Sequence, residues 1–89
     1  MKAVVLDDFI KCAEKLPGNV QRQVTHALSL WRQDPLYKSL QFKQAKTKDP
    51  VWSIRIGRQY RALALREADT VKWFWVGPHD EYMKLLNRL

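Results

Sequence analysis

Apolar positions change their period along this chain, and the change predicts its elements. Phe9, Ile10, Ala13 and Leu16 recur at helical spacing, with Lys11, Glu14 and Lys15 on the other face. Val20, Val24, Ala27, Leu28 and Trp31 then form one stripe at i, i+4, i+7, i+8 and i+11. Asp7 or Asp8 is a natural N-cap for the first helix, and Gly18-Asn19 suits its C-terminal cap. Asp34-Pro35 closes the second helix, because proline cannot continue it. The link at Pro17 to Asn19 is short, so the two helices are expected to form an antiparallel hairpin. From Val51 the period falls to two: Trp52, Ile54 and Ile56 share one face, Ser53 and Arg55 the other.

Two further strands follow, Tyr60 to Arg66 and Val71 to Val76, joined by turns at Gly57-Arg58-Gln59 and Glu67-Ala68-Asp69. Pro78 ends the last strand, and His79 to Leu89 makes a short terminal helix with Tyr82, Leu85, Leu86 and Leu89 apolar. Lys2 to Leu6 fits either an edge strand or the start of the first helix. Leu36 to Pro50 reads as a loop pinned by Leu36, Tyr37, Leu40 and Phe42. The expected fold is α+β: a helical hairpin packed on a small antiparallel sheet, with a short C-terminal helix and one uncovered sheet face. Alternation puts Arg55 on that face. If Arg61 joins it, Leu63 and Leu65 go too, and only Ala62 and Ala64 meet the helices. A bulge near Gln59 would reverse that parity.

Composition narrows the partners. The 89 residues are expected to make one domain, 1–89, with 46% hydrophobic content for a core. A single cysteine, Cys12, excludes an intrachain disulfide and fits a reducing cytoplasm. The N-terminal run is too short for a signal peptide and no stretch is long enough to span a membrane, so a cytoplasmic protein without a membrane partner is expected. The net charge of +7 favours a polyanion. It is clustered: between Pro35 and Arg66 stand Lys38, Lys43, Lys46, Lys48, Arg55, Arg58, Arg61 and Arg66, against Asp49 alone. Two readings fit the lysines of the loop, a solvated surface or an arm laid along a phosphate backbone.

Most site chemistries are excluded by spacing. There is no CxxC or HxxxH, and the glycines are isolated, so neither a metal site nor a phosphate loop is expected, and no cofactor. What remains is a metal-free set of Arg, His, Tyr and Lys. Those types suit RNA cleavage by the neighbouring 2′-OH. An imidazole can move the proton, and guanidinium groups can hold the charge that builds on phosphorus.

Trp52-Ser-Ile-Arg55-Ile, Gln59-Tyr60-Arg61 and Gly77-Pro-His79-Asp-Glu-Tyr82 resemble the C-terminal half of RelE/ParE superfamily toxins of type II toxin–antitoxin systems. The element order resembles that superfamily over the whole chain. The resemblance implies a toxin that cuts mRNA on the ribosome without a metal and so inhibits translation. Arg61 and Arg55 would stabilise the phosphate, His79 would act as acid or base, and Tyr82 would stack on the base. Lys43, Lys46 and Lys48, with Arg58, would contact RNA. A ParE-like branch that inhibits DNA gyrase without chemistry, or a cleavage-dead binding relative, is the alternative. An acidic antitoxin is the implied partner, forming a hetero-oligomer with the toxin. Competing structural roles stand beside these: Arg61 pairing with Asp80 or Glu81, His79 capping the terminal helix, and Tyr82 in the core.

Overall fold

A computed structural model describes residues 1–45 and 47–89 of the protein. Its elements run β1 (Lys2–Val5), α1 (Asp7–Glu14), α2 (Gly18–Gln33), a 3-10 turn (Lys38–Leu40), β2 (Lys43–Gln44), β3 (Val51–Ile56), β4 (Tyr60–Glu67), β5 (Thr70–Pro78) and α3 (His79–Arg88). The strands form one sheet in the order β1-β5-β4-β3-β2. The meander β3-β4-β5 is antiparallel, as expected, but β1 pairs with β5 in parallel. The sheet is therefore mixed. Parallel pairing requires a long crossover, and the whole chain from α1 to β4 provides one.

The helical stripe meets the first face of the sheet. Val20, Val24, Ala27 and Trp31 of α2 are buried against Ile54, Ile56, Ala62, Ala64, Val71 and Trp73. Trp31 and Trp73 cross edge-on, with ring centroids 5.3 Å apart and planes at 90°. Ala62 and Ala64 are small because two indoles occupy the layer above β4. That resolves the parity of β4: Ala62 and Ala64 face the helices, so Arg61, Leu63 and Leu65 face away. The bulge is not near Gln59. It lies where Leu63 pairs with Trp75 and Ala64 with Trp73, which leaves Phe74 as the extra residue of β5. The extra residue turns Trp75 to the far face while Val76 stays with the helices.

The far face is not bare, contrary to the expectation. Helix α3 folds back over it, and Tyr82, Leu85, Leu86 and Leu89 pack with Val51, Leu63, Leu65, Phe74 and Trp75. Five apolar side chains in a sheet face cannot be left in water, and an amphipathic helix directly after β5 is the nearest cover. The end of this face that carries Arg55 and Arg61 lies outside the apolar cluster that the helix covers.

Three local expectations are corrected. Leu6, not Asp7 or Asp8, is the N-cap of α1, and the two aspartates sit in its first turn, where they favour the helix dipole. Gly18 does not cap α1 but opens α2, behind Pro17. In the loop, Leu40 is buried and Phe42 packs on the core, but Leu36 is 83% exposed and Tyr37 is 44% exposed. Among the described residues no helix is long and apolar enough to cross a membrane.

Candidate active site

The site is built by one row of the sheet. Arg55 of β3 stands directly opposite Arg61 of β4, and Arg61 directly opposite Gly77 of β5. The tight turn between β3 and β4 sets this row at the sheet's end; Gly57, at φ 61°, takes the left-handed conformation that the turn needs. Two like charges facing each other across a strand pair destabilise it. No carboxylate among the described residues forms an ion pair with either guanidinium. The expected structural role of Arg61, a bridge to Asp80 or Glu81, is therefore not taken up.

Backbone carbonyls hold both arginines instead. Arg55 Nε donates to Gly57 O at 3.0 Å, which curls its side chain around the end of the strand. Arg61 Nη1 donates to Tyr60 O at 2.7 Å and to Arg58 O at 3.4 Å. Carbonyl oxygens orient a guanidinium without neutralising it, so both forks keep donors for an anion. Partial burial pulls the Arg61 guanidinium below the usual arginine range, and neighbouring Arg55 adds to this, while Tyr82 acts the other way. The group is under electrostatic load that an incoming anion would relieve.

His79 is the first residue of α3, and its N–H donates to Gln59 O at 2.7 Å. That bond ties the start of the helix to the β3–β4 turn and brings the imidazole to the arginines. The side chain is 46% exposed, with Nδ1 3.8 Å from Asp80 Oδ1. It makes no side-chain cap on α3. Arg58, Gln59, Arg61, Pro78, His79 and Asp80 line one open depression of about 460 Å³. Residues from the turn, β4 and α3 thus meet at a single surface hollow.

Tyr82 belongs to the core. It is 8% exposed and packs with Val51 and Leu63, so its ring has no free face for a base. Its centroid lies 5.9 Å from that of His79, and it backs the imidazole from the helix side. The i, i+3 spacing on α3 makes His79 and Tyr82 neighbours, and the same periodicity that adds Leu85, Leu86 and Leu89 assigns Tyr82 to the sheet. Lys43 in β2 and Lys48 in the following loop are exposed, at the edge of the sheet opposite β1. Lys46 lies outside the described residues. Tyr37, for which the sequence predicts only an anchoring role, is 44% exposed two residues after Pro35.

These features agree with what the chain is similar to. A family model described as a ParE-like toxin domain matches residues 18–84. The fold is similar to that of the RelB–RelE antitoxin–toxin complex from Methanococcus jannaschii, with 18% identity, a TM-score of 0.73, and 92% of this chain and 96% of that chain covered. It is similar to the RelBE2 toxin–antitoxin complex from Mycobacterium tuberculosis, with 21% identity, a TM-score of 0.69, and 88% and 96% covered. The isolated RelE toxin of E. coli matches at 16% identity and a TM-score of 0.64, with 98% and 96% covered. No curated protein matches the sequence itself. With most of its length inside the family model and the fold shared throughout, the chain belongs to the ParE-like toxin family, within the RelE/ParE superfamily of toxin–antitoxin toxins.

Proposed function

We propose that the protein is a single-domain toxin that cleaves ribosome-bound mRNA without a metal, by attack of a 2′-OH on the adjacent phosphate. The observation that carries this reading is the cross-strand pair Arg55–Arg61, two cations without a carboxylate partner, beside the half-exposed imidazole of His79. Such a pair weakens the sheet and is best explained by an anionic ligand.

In the proposed reaction the scissile phosphate sits over Arg61, with Arg55 and Arg58 at its sides. The 2′ oxygen attacks phosphorus as its proton leaves to a base. The P–O5′ bond breaks, and the 5′ oxygen takes a proton from an acid. The products are a 2′,3′-cyclic phosphate and a 5′-hydroxyl end. His79, half-exposed with its Nδ1 3.8 Å from Asp80 Oδ1, fills one of the two proton-transfer roles. Guanidinium donors in a fixed fork match the equatorial oxygens as their charge grows. The requirement for a 2′-OH restricts the substrate to RNA. Tyr82 holds His79 in place, and Lys43, Lys46 and Lys48 reach ribosomal RNA. An acidic antitoxin that covers the arginines would silence the site, which accords with the antitoxin–toxin complexes among the similar structures.

Two features support a second reading, inhibition of DNA gyrase by binding alone. The matching family model is the ParE-like one, and the buried Tyr82 removes the expected base-stacking ring. The test is a translation extract with a defined mRNA, run beside a gyrase supercoiling assay. Cleaved message with unaffected supercoiling supports the ribonuclease. Intact message with blocked supercoiling supports the gyrase inhibitor and refutes the first reading.

A further inference from the structure

A second, larger cavity of about 600 Å³ opens behind the β3–β4 turn, between α2 and the segment that follows it. Its volume falls in the range of roughly 300–1,000 Å³ typical of small-molecule sites. Leu30 and Ile56 give it an apolar wall, Gln23 and Gln41 give amide edges, and Arg55 and Arg58 stand on its rim. Arg58 also lines the hollow that contains Arg61 and His79, so the two depressions adjoin. Arg55, whose Nε donates to Gly57 O, lines this second cavity.

Tyr37 also lines the cavity and is 44% exposed. Its N–H donates to Asp34 O at 3.0 Å, its carbonyl accepts from Leu40 N–H at 3.1 Å, and the preceding Leu36 N–H donates to Asp34 Oδ1 at 3.1 Å. A turn fixed at three points thus presents a half-exposed aromatic beside a row of cations. Stacking on such a ring, with backbone charge held alongside, is how single-stranded nucleic acid is gripped.

We infer that this cavity binds one unstacked base of the RNA strand whose phosphates lie on Arg55, Arg58 and Arg61. The base stacks on Tyr37, and the amides of Gln23 and Gln41 meet its edge. The inference rests on the RNA-cleavage reading for its choice of ligand. It adds a base-reading site distinct from the reacting phosphate, and it gives the protein an aromatic platform that Tyr82 does not provide.

The probe is a 2′-O-methyl trinucleotide, which cannot be cleaved, compared with three versions that each carry one abasic residue. Binding to the full-length protein is measured by calorimetry at low salt, since phosphate contacts weaken as salt rises. One abasic position is expected to weaken binding at least about fivefold. In Tyr37→Ala and in Ser39→Trp, which blocks the cavity from an exposed position, that difference should vanish while the phosphate-dependent affinity stays. Circular dichroism confirms that both variants fold. Equal binding of all four probes, a position effect that survives in both variants, or no binding of the intact probe overturns the base pocket. If the four probes bind equally while the protein still cleaves mRNA in a translation extract, the pocket fails and the ribonuclease reading stands. A position effect without cleavage leaves the pocket and removes the ribonuclease.

Discussion

Replacing Arg61 with glutamine sets function against stability in a way the structure makes quantitative. Two unit charges at a nominal separation of about 8 Å repel by about 0.5–1 kcal/mol at an effective dielectric of about 40–80, which sets the scale for the cross-strand pair Arg55–Arg61. A Debye length of about 8 Å at physiological salt lowers this to about 0.2–0.4 kcal/mol. Against that gain stand the bonds from Arg61 Nη1 to Tyr60 O and Arg58 O. The first bond is part-buried and the second is long and exposed, so losing them costs about 0.5 kcal/mol. The net change is within about 0.5 kcal/mol of zero, or roughly 2–4 °C in Tm for a domain of this size. Loss of a group that stabilises the transition state, in contrast, costs about 3–4 kcal/mol, or roughly 10²–10³ in rate. Arg61→Lys keeps the charge and loses the planar fork, so its rate should fall between the two. Cleavage of a defined mRNA in a translation extract, with thermal melts of the same preparations, reads both quantities. A variant as active as the parent, or one destabilised by several kcal/mol, would refute the assignment of Arg61 as a phosphate-binding cation held at little structural cost.

Other outcomes follow from the same geometry. His79→Gln should abolish cleavage by about 10²-fold or more with an unchanged melt, because the backbone N–H that bonds Gln59 O survives the substitution; a rate within a few-fold of the parent would remove His79 from proton transfer. Tyr82→Phe should leave stability within about 1 kcal/mol, whereas Tyr82→Ala should cost about 3–5 kcal/mol in denaturant titration, since the ring fills the core between α3 and the sheet. Gly77→Ala should cost about 1–3 kcal/mol, because a Cβ there would stand 2.6 Å from Trp75 Cζ2 and force the indole to move; an unchanged melt would show that Trp75 is loosely held.

Periodicity and punctuation were enough to place both helices of the hairpin, the three-strand meander and the terminal helix, because each is specified by neighbours in the chain. The stripe from Val20 to Trp31 and the alternation from Trp52 to Ile56 work in this way. The row Arg55–Arg61 was half legible, since strand alternation gave Arg55 its face but left Arg61 open. Only the packed structure decided it. Two indoles from different elements had to share one layer, and Ala62 and Ala64 are the only residues of β4 small enough to lie beneath them. The bulge at Phe74 follows from the same packing, and no local signal marks it. The parallel edge formed by β1, the fold-back of α3 and the burial of Tyr82 are likewise decisions of the tertiary structure. A segment's sequence says which side chains must leave water, but only the arrangement of all the elements says which partner covers them.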